Sequence, residues 1–178
     1  MSDAIIGYRD RTLLPHIGAS VPRGPILLDT NVFINAFSGR GPTILAVMLA
    51  NLPLSFVSGP TIAELSWPGG RLDPGHADTD RVLRTLTEAM RRINPAKVLV
   101  PTGPQWAEAG TLAGRAARAV AGHARSIRTA FDRIELINDA VTAIVTRDTG
   151  VTVVTQDADF DLFIQIDPRI DVLFYDRD

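Results

Sequence analysis

Residues 138–160 read NDAVTAIVTRDTGVTVVTQDADF, and this stretch decides the fold. Its centre, residues 151–155, is apolar and rich in β-branched side chains, too short for a helix, and reads as a buried strand. Asn138-Asp139 opens a helix over residues 140–147 that ends near Gly150. After the strand comes Gln-Asp-Ala-Asp, which is turn and cap chemistry, and then a helical turn or two over residues 160–164. A helix running into a buried strand and out into another helix is the repeating unit of a parallel sheet.

The same alternation extends outward. Ile26–Leu28 is a short apolar run ending at Asp29 and reads as a strand. Residues 42–51 form an apolar helix with Pro at its start. Residues 54–58 are a second strand, followed by a turn at Gly59-Pro60. Residues 61–67 are a short helix stopped by Pro68-Gly69-Gly70. Asp78 or Thr79 caps the next helix, whose apolar face is Val82, Leu83, Leu86, Met90 and Ile93 and which ends at Asn94-Pro95. Residues 98–100 form a third strand, 105–120 an Ala-rich helix, 127–133 a further helical stretch and 171–175 a last strand. The expected architecture is α/β, with a mainly parallel sheet between helical layers. Residues 1–25 are mixed, contain Pro15, Pro22 and Pro25, and read as an irregular arm before a domain at 26–178.

At 178 residues the chain allows one domain that buries its core without a staple. It has no cysteine, which excludes a disulfide scaffold, a Cys-ligated zinc site, an iron–sulfur cluster and thiol catalysis. The net charge of −2 hides a split. Residues 81–133 hold ten basic residues and three acids, a net of +7, whereas residues 139–178 hold three basic residues and nine Asp, a net of −6. Lys97 is the one basic residue that is not Arg. No signal peptide is visible, and the longest strongly apolar run, residues 44–50, is far short of the ~20 residues that span a bilayer. A soluble cytoplasmic protein is expected.

Ligands of open α/β sheets bind beyond the carboxyl ends of the strands. Asp29 ends the first strand, Asp157 follows the 151–155 strand, Glu64 lies on the helix after the second strand, and Asp139 sits at the start of the helix that leads into Val151. Taken singly, each has an ordinary explanation: a turn or cap for Asp29, Asp157 and Asp159, an N-cap for Asp139, a solvated helix position for Glu64. Their joint placement is what singles them out. Four converging carboxylates repel one another unless a cation intervenes. Mg²⁺ takes oxygen ligands and keeps several waters, and such a site lowers the pKa of a bound water and holds a phosphodiester for in-line attack.

Other motifs lead nowhere. Gly39-Arg40-Gly41-Pro42 lacks the ending of a phosphate loop, and Asn31 stands where a haloacid-dehalogenase-like phosphatase needs a second Asp. His16, His76 and His123 lack metal-ligand spacing, and Trp67 and Trp106 read as packing residues, with a stacking platform for RNA bases as the alternative. Arg115, Arg118, Arg125 and Arg128 read either as solvated helix positions or as a surface that follows an RNA backbone.

The residues now assembled carry a resemblance. Residues 26–34, ILLDTNVFI, look like the opening motif of PIN-domain nucleases. Residues 61–65, TIAEL, resemble their second acidic motif, and residues 138–160 resemble the third and fourth, in order. The resemblance is nearest to VapC-type toxins of bacterial toxin–antitoxin pairs. It implies a three-layer α/β/α sandwich and a Mg²⁺- or Mn²⁺-dependent endoribonuclease. It implies that Asp29, Glu64 and Asp139 hold the metal with Asp157 as fourth acid, and that Thr30, Asn31 and Thr155 orient carboxylates or water. Asp159 is an acid the family usually carries before the Phe without requiring it at the metal. A cognate antitoxin and a homodimer are further implications. A PIN-fold RNA- or protein-binding module without turnover, and an RNA-processing nuclease that is not a toxin, are the alternatives.

Overall fold

Five parallel strands form the centre of the structure, a computed structural model that describes residues 6–17, 24–38, 43, 55–121 and 129–175. They are β1 (Ile26–Leu28), β2 (Ser55–Ser58), β3 (Val98–Leu99), β4 (Thr152–Thr155) and β5 (Val172–Phe174), in the order β3-β2-β1-β4-β5. The chain moves outward from β1 through β2 and β3, then returns to the other side of β1 for β4 and β5. Strand order therefore reverses between β1 and β4, which pair with Leu27 opposite Val153 and Leu28 opposite Val154. At such a switch point the connections leave in opposite directions, and a crevice opens past the strand ends. Asp29 and Asp157 stand at that edge.

Six helices occur among the described residues: α1 (Thr30–Ser38), α2 (Gly59–Arg71), α3 (Thr79–Arg91), α4 (Gly103–Ala119), α5 (Ala130–Thr149) and α6 (Asp159–Ile166). They cover both faces of the sheet. Ile26, Leu28 and Val154 pack with Val32 and Phe33 of α1, Leu65 of α2 and Ala89 of α3. Val153, Val172 and Phe174 pack on the other face with α4, α5 and α6, through Leu112, Leu136, Ile144, Phe160 and Phe163. Val153 and Val154 thus serve opposite cores, the two-residue period of a strand buried on both faces. The result is the expected three-layer sandwich.

Two expectations about helices need correction. Asn138-Asp139 does not open a helix. Thr129 caps α5, its hydroxyl accepting the Asp132 N–H at 3.0 Å while the Asp132 carboxylate accepts the Thr129 N–H at 2.9 Å. This reciprocal cap starts the helix earlier, and Asp139 becomes a mid-helix residue rather than an N-cap. Pro68 likewise does not stop α2. Ser58 caps the helix and Pro60 sits in its first turn. Pro68 gives up only its own N–H, and its carbonyl still accepts from Leu72 at 3.0 Å, so the helix runs to Arg71. Apart from residue 43, the expected helix at 42–51 lies outside the described residues, as do 127 and 128 of the stretch expected at 127–133.

Residues 6–17 run along the domain. Phe174 donates its N–H to the Pro15 carbonyl at 2.8 Å, and Ile17 donates to the Phe174 carbonyl at 2.9 Å, which extends the sheet by a single bridge at His16. Leu14 joins the core that α4, α5 and α6 form against the sheet.

Candidate active site

Register brings the first two acids together. Because Leu28 faces Val154, the next residues, Asp29 and Thr155, are neighbours. The Thr155 hydroxyl donates to Asp29 Oδ2 at 2.8 Å, and the Thr30 N–H donates to Oδ1 at 2.7 Å. Thr155 Oγ1 also accepts the Asp157 N–H at 2.9 Å, and Asp157 Oδ1 accepts the Asp159 N–H at 2.9 Å, which fixes the loop after β4. The two oxygens of Glu64 are held from different elements, Oε2 by the Thr30 hydroxyl at 2.5 Å and Oε1 by Asn138 Nδ2 at 3.3 Å.

Asp29, Glu64, Asp139, Asp157 and Asp159 line one open cavity of about 1290 Å³, with Thr30, Asn31 and Asn138. Asp132 and Glu135 of α5 add two more acids. Burial drives the Asp29 carboxyl up to about 6, with the charges of Asp157 and Glu64 adding to it and the Thr155 and Thr30 hydrogen bonds opposing it. Burial also raises Asp139 well above the usual carboxylate range, followed by the charges of Asp29, Asp157, Glu64 and Asp159. Glu135 is raised for the same reasons, burial first. Asp157 acts on both Asp29 and Asp139, while Asp159 receives the Tyr8 hydroxyl at 2.5 Å on its outer side.

Among the described residues, no three acids or histidines are arranged to hold a metal ion by themselves. The chemistry of the donor set nevertheless fits a hydrated hard cation. Every candidate donor is a carboxylate oxygen. Asp139 is desolvated among like charges, and no hydrogen bond from a described residue offsets this. A Mg²⁺-like ion keeps several waters, so ligands spread around a wet cavity suit it better than a closed cage.

The PIN-domain family model matches residues 26–163. This chain belongs to the PIN domain family. No curated protein sequence matches it. Among solved structures, the PIN domain is similar to FitAB bound to an IR36 DNA fragment, with a TM-score of 0.53, 20% identity, and coverage of 84% of this chain and 94% of that one. It is similar to DNA-bound VapBC from Salmonella typhimurium, with a TM-score of 0.53, 18% identity, and coverage of 85% and 98%. It is also similar to FitAcB from Neisseria gonorrhoeae, with a TM-score of 0.51, 21% identity, and coverage of 83% and 96%. At these identities the likeness is one of fold.

The structure does not bring every expected residue to the cavity of this PIN domain. Arg115 and Arg118 stand exposed on α4 and are not among the lining residues. Arg125 and Arg128 lie outside the described residues. Trp67, expected to pack, is instead 62% exposed and lines the cavity, as do Phe131 and Ile134, which are 60% and 55% exposed. Trp106 is 43% exposed on α4. Sequence reading missed Asn138 as a partner of Glu64, although it adjoins Asp139. It also missed Tyr8 and Arg11, which line the cavity from residues ahead of the family match.

Proposed function

We propose that this PIN domain is a divalent-metal-dependent endoribonuclease, the VapC-type toxin of a toxin–antitoxin pair. The observation that carries the reading is the set Asp29, Glu64, Asp139 and Asp157 around one cavity at the sheet's switch point, with Asp139 half-buried mid-helix where no cap role explains it. The similarity to VapBC and FitAB structures supports the toxin assignment and, with it, a cognate antitoxin and a homodimer.

In this reading the four acids hold Mg²⁺ or Mn²⁺. The bound ion supplies the positive charge that receives a phosphodiester and makes water a competent nucleophile. The chain's own contribution is positional. Thr155 fixes Asp29 and the loop of Asp157, and Thr30 and Asn138 fix Glu64, so the carboxylates are held before substrate arrives. The raised Asp29 carboxyl takes up a proton as pH falls through about 6, which sets proton and cation in competition there.

The test is cleavage of single-stranded RNA by the purified protein with Mg²⁺, Mn²⁺ or EDTA, beside single-stranded DNA and a phosphomonoester. The expected result is RNA cleavage that needs metal and disappears in Asp139→Asn, with growth arrest on expression of the parent and none with the variant. RNA binding without cleavage in either metal would replace the nuclease with a binding module. Cleavage without growth arrest would leave a nuclease that is not a toxin. Equal cleavage by Asp139→Asn would overturn the site.

A further inference from the structure

We propose that Arg11, carried by residues 6–17 ahead of the family match, is a substrate-binding residue of this cavity that receives a phosphate of the RNA strand. The inference rests on the nuclease reading. It adds to the PIN domain a cation that the described residues of 26–163 do not provide there.

Charge makes such a cation necessary. Seven acids line the cavity: Asp29, Glu64, Asp132, Glu135, Asp139, Asp157 and Asp159. Arg11 is the only basic residue among the described residues that line it. Every other charged side chain among the described lining residues is a carboxyl, and one divalent ion offsets two negative charges at most. A guanidinium at the mouth supplies the attraction that draws a phosphate in, and its planar fork matches phosphate geometry.

Placement makes it suitable. Arg11 Nη1 donates to the Gln156 carbonyl at 3.2 Å and Nη2 donates to the Tyr175 carbonyl at 3.4 Å. These carbonyls lie just past β4 and β5, so Arg11 bridges the strand ends where a ligand binds. The side chain is exposed, so the guanidinium is oriented without being buried.

The segment is anchored on both sides of Arg11. Before it, Arg9 places its N–H and Nε, each at 2.7 Å, on the two oxygens of Asp161, with Nη2 at 2.6 Å, and Asp161 is only 1% exposed. Tyr8 holds Asp159. After it, Asp10 caps the 3-10 turn Arg11–Leu13, Leu14 is in the core, and His16 Nε2 donates to the Arg11 carbonyl at 2.7 Å. A prepositioned cation loses less entropy on binding than one on a loose tail.

The experiment compares the full-length parent with Arg11→Ala and Arg11→Lys, measuring kcat, KM and salt dependence on single-stranded RNA together with Tm. For Arg11→Ala the expected result is a KM raised about tenfold. Its kcat should stay within about twofold and its Tm near that of the parent. The slope of log KM against log salt should fall by roughly one phosphate contact. Arg11→Lys should recover part of the loss. An unchanged KM and salt slope in Arg11→Ala would overturn the inference, as would a lowered Tm with losses that Lys does not rescue, since that marks a purely structural arginine. The parent's own cleavage reports separately on the nuclease reading. If the parent leaves RNA intact, that reading falls, and anisotropy with the same labelled RNA decides the inference: a roughly tenfold weaker Kd in Arg11→Ala upholds it and an equal Kd overturns it.

Discussion

The Thr155 hydroxyl donates to Asp29 at 2.8 Å, joining residues 126 apart in sequence across the β1–β4 seam. The same oxygen accepts the Asp157 N–H. One hydroxyl at the end of β4 therefore sets a carboxylate on β1 and the loop that carries another. The contact follows from strand register: with Leu28 opposite Val154, Asp29 and Thr155 have to meet.

Replacing Thr155 with Val keeps the shape and removes the hydroxyl. Asp29 loses a donor and the Asp157 N–H loses its acceptor, at a cost of about 1–3 kcal/mol of stability. Metal affinity and RNA cleavage should fall by roughly 10–100-fold, the usual effect of losing a group that orients a ligand. Thr155→Ser should restore most of both. Metal titrations of cleavage rate, with urea melts, test this; full activity in Thr155→Val would sink the orienting role.

Asp29 should make the metal-free protein less stable as pH rises. Its folded pKa, about 6, lies above its ordinary 3.8 chiefly because of burial. Between about pH 4 and 6 the folded state keeps a proton that the unfolded state has released, so stability falls across that window and levels off above it. About two units at ~1.4 kcal/mol each give roughly 3 kcal/mol. Asp139, raised in the same direction, adds to the slope. Asp29→Asn should reduce the slope, melt higher than the parent in EDTA at pH 7.5, and lose cleavage. Thermal melts in EDTA across pH decide it; a variant less stable than the parent at pH 7.5 would contradict the account.

What was legible in the sequence was whatever depends on local pattern. Apolar runs such as Ile26–Leu28 and residues 151–155 mark strands, and acids at their ends mark the candidate site. Asp139 was found for its position but misread in its setting. Asn-Asp carries cap chemistry wherever it occurs, and local pattern did not weigh it against the reciprocal cap of Thr129 and Asp132 upstream. Pro68 read as a stop because its lost N–H is visible in sequence, while the carbonyl that continues α2 is not. Tyr8 and Arg11 gave no signal, since their partners Asp159 and Gln156 lie 151 and 145 residues away. Trp67 read as core because an aromatic side chain does not announce which face of its helix it occupies.

Arg147 should matter for stability and not for the chemistry. Its side chain is 8% exposed and pairs with Glu108 at 2.6 Å, Asp148 at 2.6 Å and Asp167 at 3.0 Å, tying α5 to α4 and to the turn after α6. It does not line the cavity. Arg147→Met should cost about 1–3 kcal/mol near neutral pH, because Glu108 and Asp148 lose their cation while Asp167 keeps Arg169. Arg169 and Arg147 hold Asp167 well below the usual carboxylate range, so the group's contribution is present above about pH 4 and lost as pH falls further. The difference between parent and Arg147→Met should accordingly shrink toward pH 3. Urea melts at both pH values check this, with cleavage per folded molecule expected to be unchanged.

Trp67 should contribute to RNA binding. It lies three residues after Glu64 on α2, so the two share a helix face, and both line the cavity, with the indole 62% exposed. Such exposure leaves little packing to lose, and Trp67→Ala should leave Tm almost unchanged. Stacking of an unpaired base on an aromatic ring is worth ~1–3 kcal/mol, so binding of single-stranded RNA should weaken roughly 5–100-fold. A duplex, whose bases are already stacked and paired, should show no comparable loss. In an Asp139→Asn, Trp106→Phe background, Trp67 is the sole tryptophan. Without turnover there, its fluorescence should change as single-stranded RNA is added. Equal affinity of parent and Trp67→Ala for single strands, or a silent indole during the titration, would show that the indole does not touch the substrate.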